Sequence, residues 1–169
     1  MNLSLPFPPQ RSTSTAPPPI PDRVLCLPFH RPYGAMAADG VKTIETRARA
    51  WTKGPAWIAI YNCVAIAHLQ EGAAPHPGAA RYHECREVEV IGPSEHVIGL
   101  VHIASSRILT LEDMPRSFFY EPGRFAWILD HAIRFAKPLS LIDAGMKKGP
   151  QSVVWIEGEP LREAARKGP

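Results

Sequence analysis

Two runs constrain the fold most: 56–67 (AWIAIYNCVAIA) and 97–109 (VIGLVHIASSRIL). Both are rich in β-branched and other apolar residues and read as strands of a sheet core. Shorter strand-like runs flank them: 24–29 (VLCLPF), stopped by Pro28, and 153–156 (VVWI), after the glycine-bearing loop 145–149. Apolar segments at 125–129 and 133–139 are interrupted by Asp130 and His131. Helical signals are brief. Pro32 suits the first turn of a short helix through Asp39, with Gly40 as its stop. Thr110-Leu111-Glu112-Asp113 resembles a capping box that opens a single turn. Residues 43–48 read as extended, and 68–89, with two prolines and mixed polarity, as part helix and part loop. There is no internal repeat and no alternation of strands with long helices. The expected class is α+β, with a mostly antiparallel, barrel-like sheet and short flanking helices.

A chain of 169 residues fits one domain plus extensions, and can bury a core. Residues 1–22 carry prolines at 6, 8, 9, 17, 18, 19 and 21 and few large apolar side chains. They read as a disordered proline-rich tail, or as the docking segment for a partner that reads extended proline-rich chains. The domain is expected over 23–157. Residues 158–169, charged and ending in Lys167-Gly168-Pro169, read as a frayed helix or a second tail. No run of 18 apolar residues predicts a membrane span. Cys26, Cys63 and Cys85 cannot all pair within the chain and suit reduced thiols in a cytoplasm. The mild net charge of +3 allows a nucleic-acid partner without requiring one. Cys63, His68, His76, His83 and Cys85 share a stretch, but their spacing matches no zinc knuckle. No Walker loop, dinucleotide glycine pattern or G-x-S-x-G elbow occurs, so neither metal nor cofactor is expected.

The densest charge cluster is 40–47, GVKTIETR. On an extended chain, Thr43, Glu45 and Arg47 line one face and Ile44 points to the other. Lys42 follows the bend at Gly40, where its stem can curl over that face. A carboxylate between two cations stays ionised, and a guanidinium beside it suits a base edge, a phosphate or a carboxylate ligand. By spacing alone the cluster reads equally as a surface ion pair of small energetic value.

The order of segments is informative. LCLPFHRPY at 25–33, GVKTIETR, the strand WIAIYNC at 57–63, the strand 97–106 with Gly99, FAWIL at 125–129 followed by Lys137-Pro138, and KGPQSVVW at 148–155 together resemble the activating-signal-cointegrator homology (ASCH) domain. The resemblance spans roughly 23–157. It implies a PUA-like β-barrel with a cleft beside the G-x-K-x-x-E-x-R signature, and association with RNA. Some members of that family are ribonucleases. One bacterial branch hydrolyses N4-acetylcytidine with a lysine, a threonine three positions later and a glutamate on a later strand. Here the lysine is Lys42, the threonine position holds Glu45, and the later glutamate falls near His102. Thr43 and Thr46 are out of register. The departure weighs against that hydrolysis unless Lys42 and Glu45 together activate water.

The expected site therefore comprises Lys42 and Glu45 as candidate catalytic residues, and His30, Arg31, Tyr33, Thr43, Arg47, Trp127 and Lys148 as further ligand contacts. Tyr33, Trp51 and Trp127 are candidates to stack a base, whereas Trp57 and Trp155 read as core. Trp127 and His102 read equally well as core residues. Arg31, Lys42, Arg47, Arg49, Lys53, Lys137, Lys147 and Lys148 are candidates for a phosphate-facing rim, or simply solvated surface. The expected ligand is RNA or a modified nucleoside. The alternatives are a hydrolase on the same ligands and a protein-interaction adaptor acting through residues 1–22.

Overall fold

In the computed structural model, which describes residues 16–67, 79–82 and 85–168, the run expected at 24–29 forms the longer strand β1 (Arg23–Arg31). It does not stop at Pro28. On one side its neighbour pairs only with Arg23–Cys26, so Pro28 sits where a missing N–H is tolerated. The chain then forms α1 (Tyr33–Ala38), β2 (Ile44–Arg47), β3 (Ala56–Ile66), α2 (Val88–Ile91) and β4 (His96–Ile108). After these come α3 (Met114–Ser117), β5 (Phe125–Ser140), β6 (Val154–Glu157) and α4 (Gly158–Arg166). The strand order is β2-β5-β4-β3-β1-β6. Every pairing is antiparallel except β1 with β3.

The class expected from sequence, α+β with a mostly antiparallel sheet, is the class observed. The barrel is not: β2 pairs only with β5 and β6 only with β1, so the ladder stays open. Side chains bridge part of the gap. The Arg47 guanidinium of β2 donates to the Pro28 carbonyl of β1 at 3.1 Å.

Strand alternation feeds two cores. Leu25, Leu27 and Phe29 of β1, with Ile58 and Ile60 of β3, pack against the alanines and Met36 of α1. Val24 and Cys26, with Trp57, Ala59 and Tyr61, point to the opposite face, where Leu161 and Ala164 of α4 cover them. Burial pushes the Cys26 thiol up to about 12, so this cysteine behaves as a small apolar residue. All three cysteines are free. No helix among the described residues is long and apolar enough to cross a membrane.

Several local expectations change. The segments 125–129 and 133–139 are one strand, because Asp130 faces outward to bond His102 and the β4–β5 register shifts beside that pair. Trp155 is not core: it lies on edge strand β6 and is 52% exposed. Of the two readings of the C-terminal residues, a helix or a tail, the helix is observed. Residues 158–166 form α4, whose Leu161 is fully buried. Residues 16–22 are held to the domain: Trp57 Nε1 donates to the Pro18 carbonyl, Arg162 to those of Ile20 and Pro21, and the Gly158 N–H to that of Asp22. The remainder of the proline-rich segment, and His68, His76 and His83, lie outside the described residues. The expected turn at 110–113 forms as a 3-10 turn over Leu111–Asp113, with the Asp113 carboxylate accepting from the Thr110 N–H at 3.0 Å.

If α4 is part of the core, Leu161→Ala lowers unfolding free energy by about 2–5 kcal/mol, read from urea denaturation. A wild-type midpoint would mean that α4 is a dispensable appendage.

Candidate functional site

The signature residues converge. Gly40, at φ 71°, takes the left-handed turn after α1, and the N–H groups of Val41 and Lys42 both return to the Met36 carbonyl. That bend sends the Lys42 side chain inward, where only 2% of the residue is exposed. Its ammonium donates to the Ile44 carbonyl at 2.5 Å and the Ser117 carbonyl at 2.6 Å. It also lies 3.5 Å from Glu45 Oε2 and 5.3 Å above the Tyr33 ring. Burial pulls the lysine below its usual range, and Glu45 opposes that shift.

Glu45 is buried as well. Arg47 Nε approaches its Oε1 at 2.8 Å, at an angle too bent for a hydrogen bond, so the contact is an ion pair. The Arg47 guanidinium lies between the Phe29 ring at 5.0 Å and the Trp127 ring at 5.7 Å. One carboxylate thus sits between two cations at the open margin of the sheet.

Beside this triad lies a cleft of about 420 Å³, within the size of ordinary small-molecule sites. Pro28, Phe29 and His30 line it from β1, and Glu45, Thr46 and Arg47 from β2. These two strands are not neighbours in the sheet. The cleft lies between edge strand β2 and the part of β1 beyond its pairing with β6. Tyr33, Lys42, Ala67, Phe119 and Arg124 complete the lining. Burial, reinforced by the Glu45 carboxylate, raises the Tyr33 phenol to about 12, so it stays protonated at neutral pH.

The loop after α3 forms the far wall. Phe118 holds a left-handed backbone at φ 58° at the end of that helix, which turns the next residue, Phe119, into the cleft. The Ser117 hydroxyl donates to the Phe119 carbonyl at 2.7 Å, while the Ser117 carbonyl accepts from Lys42. Upstream, both carboxylate oxygens of Asp113 accept from Arg107, which holds the acid below the usual aspartate range.

Of the residues expected at a site, Lys42, Glu45, Arg47, His30 and Tyr33 line this cleft. The others do not. The Thr43 hydroxyl is occupied by Arg116 Nε at 3.0 Å. Arg31 donates to the Val64 carbonyl at 2.6 Å. Trp127 backs Arg47, rests on Trp51 at 5.1 Å between centroids, and donates to the Arg49 carbonyl. Lys148 is exposed in the loop before β6. His102 bonds Asp130 at 2.7 Å and lines a different cavity. The expected basic rim is also dispersed: only Lys42 and Arg47 of its eight members line the cleft, while Lys53, Lys137 and Lys147 each line another cavity.

Sequence reasoning missed Pro28, Phe29, Thr46, Ala67, Phe119 and Arg124 as lining residues. Alternation assigned Thr46 to the face opposite Glu45, but at the end of this four-residue edge strand both reach the cleft. The Thr46 hydroxyl is buried and has no partner among the described residues. Phe119 follows the left-handed Phe118, a bulky residue for which sequence carries no such signal.

No protein-family model matches the sequence, and no curated protein matches it. Solved structures do match its fold. With an open mixed sheet, α1 before strand β2 and a cleft beside that strand, this is an α+β domain with a cleft between strands β1 and β2. Its architecture is that of the ASCH domain. The ASCH protein from Zymomonas mobilis aligns with a TM-score of 0.52 at 15% identity, over 86% of this chain and 95% of that one. A serine-to-alanine variant of that protein gives 0.53 at 17% identity, over 89% and 100%. A tyrosine-to-phenylalanine variant gives 0.52 at 14%, over 86% and 98%. The ASCH fold expected from the order of sequence segments is therefore the fold found.

Removing one partner of a buried ion pair leaves a charge and its acceptors uncompensated. Lys42→Met is expected to cost about 3–5 kcal/mol in urea denaturation. A loss of less than about 1 kcal/mol, the size of a surface pair, would contradict the buried-clamp assignment.

Proposed function

We propose that the cleft binds a base of RNA, or a free or modified nucleoside. The observation that carries this reading is Glu45: a buried carboxylate, held by Lys42 and Arg47, at a cleft lined by Tyr33, Phe29 and Phe119. A base is a flat apolar ring with a polar edge. Aromatic walls accept its face, and a fixed carboxylate accepts N–H donors from its edge. The Thr46 hydroxyl, buried without a partner among the described residues, supplies a second polar group. Glu45 favours bases with an exocyclic amine, such as cytosine N4 or adenine N6, over uracil.

Binding is preferred to hydrolysis on stereochemical grounds. A general base needs a lone pair aimed at the substrate. The Lys42 nitrogen is surrounded by the Ile44 and Ser117 carbonyls and the Glu45 carboxylate, and so it positions the acid rather than taking a proton. His102, nearest to the later acid of the deacetylase pattern, lines a different cavity.

Calorimetric titration of the full chain with cytidine and uridine 5′-monophosphates tests the reading. Cytidine is expected to bind more tightly. Glu45→Gln is expected to lower cytidine affinity roughly tenfold, about 1.4 kcal/mol, and to narrow the preference over uridine. Thr46→Val, which leaves the charges intact, is expected to weaken both. A folded Glu45→Gln protein, verified by its thermal melt, that still prefers cytidine at wild-type affinity would rule out the carboxylate as the reader of the base.

A further inference from the structure

Trp155 is an anomaly. Among the described residues it is the one aromatic side chain more than half exposed, and Arg23 lies over its ring at 5.4 Å. It borders a second cavity, of about 510 Å³, lined also by Trp51, Trp57, His102 and Lys53. Pro18 and neighbouring prolines form one wall, fixed by the bond from Trp57 Nε1 to the Pro18 carbonyl at 2.9 Å.

We propose that this cavity is a second base-stacking subsite, and that the ligand is single-stranded RNA running between it and the cleft. The inference rests on the cleft reading above and extends it from a nucleoside to a strand.

Three observations support it. The first is chemical: exposed indole beside cations is the combination that binds single strands, with rings stacking bases and cations meeting phosphates. Arg23 lies over the Trp155 ring and Lys53 lines the same cavity, which places two cations beside the indole. The second is continuity. Arg47 contacts Glu45 in the cleft and the Trp127 ring, Trp127 rests on Trp51, and Trp51 lines the second cavity. Leu25 at the cavity and Phe29 at the cleft lie four positions apart on one face of β1, roughly 13 Å along the strand. The third concerns the competing occupant. The chain's own proline-rich segment already forms one wall here, its Pro18 carbonyl accepting from Trp57 Nε1, so a second proline-rich peptide would meet a donor already in use.

The test uses the full chain, cytidine 5′-monophosphate, and an oligocytidylate of roughly eight nucleotides, within the range of single-strand site sizes. Affinities are read by calorimetry and by tryptophan fluorescence quenching. In Trp155→Ala, oligomer affinity is expected to fall about tenfold while mononucleotide affinity is unchanged. Trp155→Phe is expected to restore most of the loss. Lys53→Gln is expected to reduce the slope of log affinity against log salt by about 0.7 for the oligomer. If mononucleotide binds and oligomer affinity ignores Trp155→Ala, the second subsite is overturned and the cleft reading survives. If wild type binds neither probe, both fall. Binding of oligoproline that exceeds oligomer binding and is lost in Trp155→Ala would assign the cavity to a proline-rich peptide instead.

Discussion

A single buried ammonium organises the site. Lys42 joins the β2 backbone at Ile44, the end of α3 at Ser117, and the carboxylate of Glu45. Taking a lysine charge out of water costs several kcal/mol, which is offset here only because two carbonyls and an acid surround it. The same arrangement fixes three things at once: the direction of the edge strand, the placement of the α3 loop, and the orientation of the acid that faces the cleft. Lys42 is thereby committed to construction. On the binding reading proposed above, its nearness to Glu45 serves the mechanics of the cleft rather than proton transfer.

The open sheet gives this clamp its purpose. β2 pairs only with β5, and β1 is not its neighbour in the sheet. A gap between two strand margins would ordinarily expose unpaired backbone. Arg47 spans part of it, donating to Pro28 while ion-paired to Glu45 and flanked by Phe29 and Trp127. The left-handed Phe118 supplies the opposing wall through Phe119. The result is a concave, partly aromatic space with one oriented acid, the form on which the proposed base binding rests.

The sequence made much of the fold legible. Runs such as 56–67 and 97–109 became β3 and β4 within a residue or so at each end, because burial on both faces leaves little ambiguity in an apolar strand. Gly40 ended α1 as its position suggested. Local pattern failed where tertiary pairing decided the outcome. Asp130 looked like a break, yet a bond to His102 keeps β5 continuous. Trp155 looked like core, yet edge strand β6 leaves it half in water. At the site, Lys42, Glu45 and Arg47 were legible because they share one short segment. Their true relation, one clamped inside and one bridging out to Pro28, depends on Ser117 and β1, which spacing cannot reveal. Thr43 illustrates the reverse: alternation aligned it with Glu45, but Arg116 takes its hydroxyl.

The most direct test of the clamp is the Lys42 side-chain nitrogen itself, observed by heteronuclear NMR across a pH titration. The account predicts a resolved ammonium at neutral pH, slow to exchange with water, whose titration midpoint lies below the ordinary lysine value of 10.5. A Lys42 nitrogen that exchanges at solvent rates and titrates as a free lysine would show that the ammonium is not buried among the Ile44, Ser117 and Glu45 oxygens, and would contradict the account.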